Sequence, residues 1–290
     1  MSVSSLPNQT TATPSSNSDR PWAIKSLPPF PAVALQLMGL LDDDDVPMKQ
    51  VVTLLRIDPA LSAEILRVSN SALYGLSRRI DNVSHAVVVL GTDSVKRLAL
   101  TVALGRFSQR FLKDQALRKC WDHAVATALV CERLAGHTGD ARDRAYTAGL
   151  LLDIGRLALL ACYPAEYGNM IEVARENDFD QIECERQLFD IDHCAAGEWL
   201  GRHWNLPNDL VEAIATHHSR EPDDASTASL ATAADRIADT LGFSALRMPA
   251  RYTVEETLSR LPVADMETAI TDLSSMEEAI GTAISTISPG

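Results

Sequence analysis

No two of the five cysteines stand at Cys-x-x-Cys spacing; Cys120, Cys131, Cys162, Cys184 and Cys194 are scattered and odd in number. A disulfide or zinc framework needs paired or clustered thiols, so these are expected to be reduced and packed as small hydrophobes, as in a cytosol. Nowhere is there a run rich in lysine and arginine, and the formal net charge is −13 at pH 7. Such a surface repels polyanions, which argues against nucleic acid and an anionic membrane as partners. Also missing is an uncharged apolar run of bilayer length. The most apolar stretch, residues 147–163, is interrupted by Asp153 and Arg156, two charges that are costly in lipid and easier to satisfy in a protein core. Residues 1–21 hold Ser, Thr, Asn, Gln and Pro with neither a basic start nor an apolar core, so they read as a disordered tail and not as a secretory leader. A cytoplasmic protein is the expectation.

What is present is helical. From Pro28 onward apolar residues recur at spacings of three and four, and no two-residue alternation with hairpin turns competes with that pattern. The predicted fold is all-α, a multi-helix bundle. Asp58 and Pro59 supply an N-cap and an N1 proline ahead of Leu61, Ile65 and Val68,. Gly91 ends the helix over 83–90, and Thr92 or Asp93 can cap the next. Thr253 to Glu256 match a capping box. Further helices are predicted over 116–135, 142–162, 165–176, 192–204, 207–217 and 226–241. With 46% hydrophobic residues in 290, the chain can bury one large core plus a small bundle. The tail is thus followed by a main helical domain over 22–245. A break near Gly242 and Pro249 precedes residues 246–290, where Thr253 to Gly290 carry seven acidic residues and one basic, Arg260. Met266, Ile270, Leu273, Ile280 and Ile284 form one apolar stripe there. The stripe must bury against something, so the segment is expected to be either an interaction or lid element or a helical piece packed permanently on the parent bundle; in both forms it is separable, its removal leaving the bundle folded. Asp42 to Asp45 form an acidic run that reads as a solvated loop, with a weak cation site as the alternative.

The residues that can carry chemistry are His123, Asp153, His193, His217, His218 and Asp235, each in or at the end of a predicted helix and 17 to 40 residues from the next group. Only packing of helices into a bundle could bring them together, and bundle interiors are where facing helices supply His and carboxylate ligands to metals. Each also has a plain structural reading: a satisfied core histidine for His123, a helix C-terminus for His217 and His218, an N-cap pair for Asp192 and His193. Arg156, one turn beyond Asp153, can form an (i, i+3) ion pair that neutralises the carboxylate without metal. Neighbouring helical residues point about 100° apart, so His217 and His218 are not expected to face one pocket together.

Several segments are together similar to the HDOD (HD-related output domain) family. They are Leu27-Pro28-Pro29-Phe30-Pro31, Asp58-Pro59-Ala60-Leu61, Asn70-Ser71-Ala72-Leu73-Tyr74-Gly75 and Ala86 to Gly91. Ala148 to Arg156 resembles the family's Gly-Leu-Leu-His-Asp-Ile-Gly-Lys signature, and Asp192-His193, Trp204 to Pro207, His217-His218 and Ala234-Asp235 extend the match. The resemblance implies kinship with HD-type metal phosphohydrolases, in which a His-Asp pair and distant His and Asp residues hold a divalent metal that activates water. On that pattern His123, Asp153 and Asp235 correspond to a remnant metal set, and His193, His217 and His218 to second-shell or second-metal positions. The His of the His-Asp pair is Leu152, which has no lone pair to donate. Also absent is the Gly-Tyr-Pro that follows the paired histidines in cyclic-di-GMP phosphodiesterases of the HD-GYP type; Ser219-Arg220-Glu221-Pro222 stands there instead.

The resemblance therefore implies a stand-alone, non-enzymatic bacterial signalling module that acts through contacts with a protein partner, without a required cofactor and with at most a weakly held divalent metal. The competing expectation is a metal-dependent phosphohydrolase or a cyclic-dinucleotide-binding protein, disfavoured by the missing ligand and by the lack of a Gly-rich phosphate loop.

Overall fold

The computed structural model describes residues 20–27, 29–40, 46–109, 115–245 and 252–287, and no strand occurs among them. The acidic run 42–45, residues 246–251 with Pro249, and residues 1–19 of the predicted tail lie outside the described residues. Arg20 and Pro21, the end of that tail, lead into a 3-10 turn at Trp22–Ile24, and Arg20 donates to the Leu27 carbonyl at 3.0 Å.

The N-terminal helices are α1 (Ala32–Gly39), α2 (Met48–Arg56), α3 (Pro59–Ser69), α4 (Val83–Leu90) and α5 (Thr92–Gln109). Then follow α6 (Gln115–Thr138), α7 (Arg142–Leu151), α8 (Ile154–Cys162), α9 (Pro164–Asn177), α10 (Gln181–Phe189), α11 (His193–His203), α12 (Asn208–Thr216) and α13 (Thr227–Thr240). The chain closes with α14 (Val254–Leu258), α15 (Met266–Ser274) and α16 (Glu277–Ile287). The capping signals operate as the sequence suggests: the Asp58 carboxylate accepts from the Leu61 amide with proline at the first helical position, and Thr253 and Glu256 close a capping box.

Helix α6 divides the interior. Trp121, Val125 and Ala128 face one apolar cluster with α1 to α5, α7 and α8; Ala126, Val130 and Leu134 face a second with α7, α12, α13 and the C-terminal helices. The C-terminal segment is docked, because Leu258, Leu273 and Ile280 are fully buried in that second cluster. Residues 142–162, the one stretch among the described residues of sufficient length and apolarity to cross a membrane, are largely buried inside the protein.

Two differences from the sequence expectations shape the centre of the molecule. The single helix predicted over 142–162 is two helices, α7 and α8, broken at Leu152 and Asp153. Hydrophobic periodicity runs unbroken across this point, so the sequence carries no boundary signal there. The second difference is α10, which has no counterpart among the predicted helices. It begins at Asp180, whose carboxylate caps the Glu183 amide.

Close backbone approach fixes α8 against α11. A Cβ on Gly155 would lie 2.0 Å from the His193 carbonyl oxygen and 2.5 Å from the Gly197 nitrogen, so only glycine lets the start of α8, and with it Asp153, sit beside His193.

Candidate functional site

Helices α6, α8, α11, α12 and α13 bring all six of the residues predicted from sequence to one region. His123 of α6, Asp153 and Asp235 of α13 place their donor atoms within 4.8 Å of one another. The His193, His217 and His218 nitrogens and the Cys194 sulfur form a second such group. A cleft of about 260 Å³ lined by His123, Asp153, Arg156, His217, His218 and Asp235 opens beside them.

Orientation of His123 follows from the end of α13. Gly242 adopts a positive φ of 88°, turning the chain so that the Phe243 carbonyl accepts from His123 Nδ1 at 2.8 Å. A carbonyl only accepts, so the proton is on Nδ1, and Nε2 faces the Asp235 carboxylate at 2.8 Å. Two acceptors at that distance repel unless a cation lies between them. A second proton meets the requirement: burial lowers the imidazole's affinity, but the hydrogen bond with Asp235 and the charges of Asp235, Asp239 and Asp153 outweigh it and raise the pKa to about 9. Burial likewise opposes ionisation of Asp235, and the same bond with His123 holds it at about 2.

Asp153 is neutralised separately. Its Oδ1 lies 3.1 Å from Arg156 Nε, the (i, i+3) pair the sequence suggested, with both side chains almost fully buried. Against the cost of burial, the Arg156 charge and the cationic His217, whose Nε2 lies 3.5 Å from Oδ1, keep the carboxyl well below its usual range. The same guanidinium reaches across to the second group, its Nη2 lying 3.0 Å from His193 Nε2 and 3.4 Å from His218 Nε2. Arginine only donates, so His193 Nε2 is an acceptor and the imidazole carries its proton on Nδ1, 2.7 Å from Glu185 Oε2.

Glu185 on α10 was not legible as a site residue, yet it is fully buried. It also accepts from the His193 amide at 2.7 Å, the Tyr167 hydroxyl and Gln181 Nε2 at 2.8 Å. Burial alone would raise this carboxyl, but His193, Arg156 and Tyr167 lower it to about 2. His217 donates from Nδ1 to the Ile214 carbonyl at 2.8 Å and turns Nε2 toward His193 Nε2, 3.3 Å away. Against its burial, the Cys194 sulfur and Asp153 raise its pKa. His217 and His218 line one cleft together, contrary to the expectation for consecutive helical residues. Helix α12 ends at Thr216, so the pair lies where the helix gives way to a turn.

Whether these residues fit a metal can be judged from the donors. In favour, His123 gives its second nitrogen to a backbone carbonyl, as metal-ligating histidines do, and Asp153 Oδ1 is buried without an aligned hydrogen bond. Against it, Leu152 is buried in the second apolar cluster and offers no ligand, and the Arg156 cation stands where it would repel a divalent ion. The three donors His123, Asp153 and Asp235 fall one short of the four-ligand set the HD pattern calls for, which counts against a metal held in that manner.

A family model for the HDOD domain matches residues 27–220. An uncharacterized protein of Treponema pallidum (strain Nichols) is 29% identical over 216 residues, 74% of this chain and 41% of that protein, so the chain spans well under half the length of that relative. Among solved structures, an HDOD domain protein with unknown function from Geobacter sulfurreducens superposes with a TM-score of 0.75 at 23% identity, covering 90% of this chain and 93% of that one. A proposed phosphohydrolase from Shewanella amazonensis SB2B gives a TM-score of 0.71 at 23% identity over 92% and 96% of the two chains. A proposed signal transduction protein from Marinobacter aquaeolei VT8 gives 0.74 at 23%, covering 91% of this chain and 60% of that one. At this identity the likeness is one of fold.

Proposed function

The chain belongs to the HDOD family, and from that premise we propose that it is a signal-transduction module that works by contact with a protein partner in the cytoplasm and not by turnover. One observation carries the reading: each carboxylate of the remnant metal set already has a protein cation, Arg156 for Asp153 and His123 for Asp235. A site neutralised by its own side chains holds the bundle together without an ion and requires no cofactor. The expected result is that the full chain, supplied with Mn²⁺, Fe²⁺ or Ni²⁺, hydrolyses neither cyclic di-GMP nor generic phosphodiesters. A turnover that vanishes in Asp153→Ala would overturn the proposal.

A second reading, a metal-dependent phosphohydrolase or cyclic-dinucleotide-binding protein, draws on the orphaned Asp153 Oδ1 and on the cleft that reaches it. Metal analysis of protein purified without chelator separates the two, since stoichiometric, tightly held transition metal favours the second.

A further inference from the structure

In an acidic chain, residues 46–109 are an exception, with eight Lys and Arg against four Asp and Glu. Four of the eight are tied down: Arg67 to Glu64, Lys96 to Asp93, Arg97 to Glu132 and Asp143, Arg106 to Asp58. The other four, Lys49, Arg56, Arg78 and Arg79, are all exposed, and none pairs with a carboxylate among the described residues. They belong to α2 and to the segment leading into α4, two helices held side by side, where Arg56 Nη2 donates to Ser84 Oγ at 3.1 Å.

The same two helices leave apolar side chains in solvent. Ile57 is 66% exposed and Val88 69%, with Met48 and Val89 at 45% each. Val88 lies one turn beyond Ser84, on the helix face that Arg56 reaches. Ile57 is also part of the wall of a groove between α1 and α2, of about 660 Å³, shared with Leu40, Leu54, Lys49 and Gln50. Val88 and Val89 stand at the solvent-facing side of α4, and an apolar patch rimmed by cations that have no carboxylate partner among the described residues is the form of a recognition surface.

We propose that this α2/α4 face docks an amphipathic helical segment of a partner protein whose polar side is acidic. Its apolar ridge lies on Ile57, Val88 and Val89, and its carboxylates meet Lys49, Arg56, Arg78 and Arg79. Charge complementarity selects this occupant, because a basic or neutral helix would bring no counter-charge to four cations that lack one among the described residues. The inference deepens the protein-contact reading above and rests on it.

The test uses the full chain and an 18-residue fluorescent peptide with leucines at three- and four-residue spacing and glutamates elsewhere. A lysine-for-glutamate version and a scrambled version serve as controls, with anisotropy read at low and physiological salt. The acidic peptide is expected to bind at least about tenfold more tightly than either control, with affinity falling as salt rises. Val88→Asp and the pair Arg56→Glu and Arg79→Glu, all at exposed positions, should each weaken it by about tenfold while the circular dichroism spectrum is unchanged. Equal binding of the three peptides, or indifference to these variants, would overturn the inference. So would self-association on sedimentation that Val88→Asp abolishes, which would assign the face to a second copy. Phosphodiester turnover alongside selective peptide binding would sink the non-enzymatic reading and leave this surface standing; no turnover and no selective binding would do the reverse.

Discussion

Arg156 is the side chain on which the centre of the bundle turns, and its removal gives a sharp test. In Arg156→Met the hydrophobic stem is retained while Asp153, 3% exposed, loses its nearest cation and His193 loses its donor. Breaking a buried ion pair from one side costs about 3–5 kcal/mol, because an uncompensated charge stays inside. Against a total stability on the order of 5–15 kcal/mol, that is a large fraction. In a chain of this length it lowers Tm by roughly 2 °C for each kcal/mol. The companion variant, Arg156→Met with Asp153→Asn, removes both charges and is expected to regain most of the loss. Guanidinium denaturation followed at 222 nm, with calorimetry for Tm, supplies both numbers. If Mn²⁺ raises the Tm of Arg156→Met but not of the parent, the guanidinium occupies a position that a cation can take over. A single variant within about 1 kcal/mol of the parent, or a double variant no better than the single, would refute the argument that Arg156 compensates Asp153.

Leu152→His should bind a divalent ion more tightly than the parent by calorimetric titration, while losing about 1–3 kcal/mol without metal because a polar ring enters an apolar cluster; equal affinities would show that positions 123, 152, 153 and 235 do not share an ion. Glu185→Gln keeps the shape but removes the charge that accepts from His193, and urea unfolding should register a loss of about 2 kcal/mol; an unchanged midpoint would mean that Glu185 does not order the site. Gly155→Ala drives a methyl into the His193 carbonyl and should cost more than about 3 kcal/mol, whereas Gly168→Ala, open to space in α9, should change stability by less than about 1 kcal/mol; similar values for the two would refute the close approach of α8 and α11.

Much of this architecture is written in local chemistry. Caps at Asp58, Asp192 and Thr253 need only neighbouring residues, so they were legible, as were the six His and Asp positions through their resemblance to the HDOD pattern. What was not legible depends on contacts between distant elements. The break at Leu152 and Asp153 is set by the packing of α8 on α11, and nothing in the apolar run itself marks it. Glu185 looks, in sequence, like any glutamate on a charged helix face among Glu183 and Arg186; only its burial against Tyr167 and His193 distinguishes it. A signal for α10 did exist, in Asp180 three residues before Glu183. Cys194 and Asp239 were missed for a similar reason, their place beside His217 and His123 being tertiary.

The C-terminal segment takes the packed of its two expected forms, and the packing bears on whether the bundle can do without it. Leu258, Ala269, Leu273 and Ile280 are fully buried, Ala283 and Ile287 nearly so. Their partners include Val130 and Leu134 of α6. Polar ties add to this: Asp272 meets Arg133 at 3.0 Å and His137 at 2.8 Å, and Arg67 donates to the Thr286 carbonyl at 2.8 Å. Burying each larger aliphatic side chain is a gross gain of about 1.5–3 kcal/mol, offset in part by the cost of ordering the segment, and deleting everything after Ala245 also leaves the apolar side chains of α6 and α13 that it covers in water. The truncated chain is therefore expected to aggregate or to melt without cooperativity, while Ile280→Ala in the full chain loses only about 2–5 kcal/mol and keeps a single transition. A soluble fragment ending at Ala245 with a sharp thermal transition would show that α14 to α16 lie on a finished core and do not complete it.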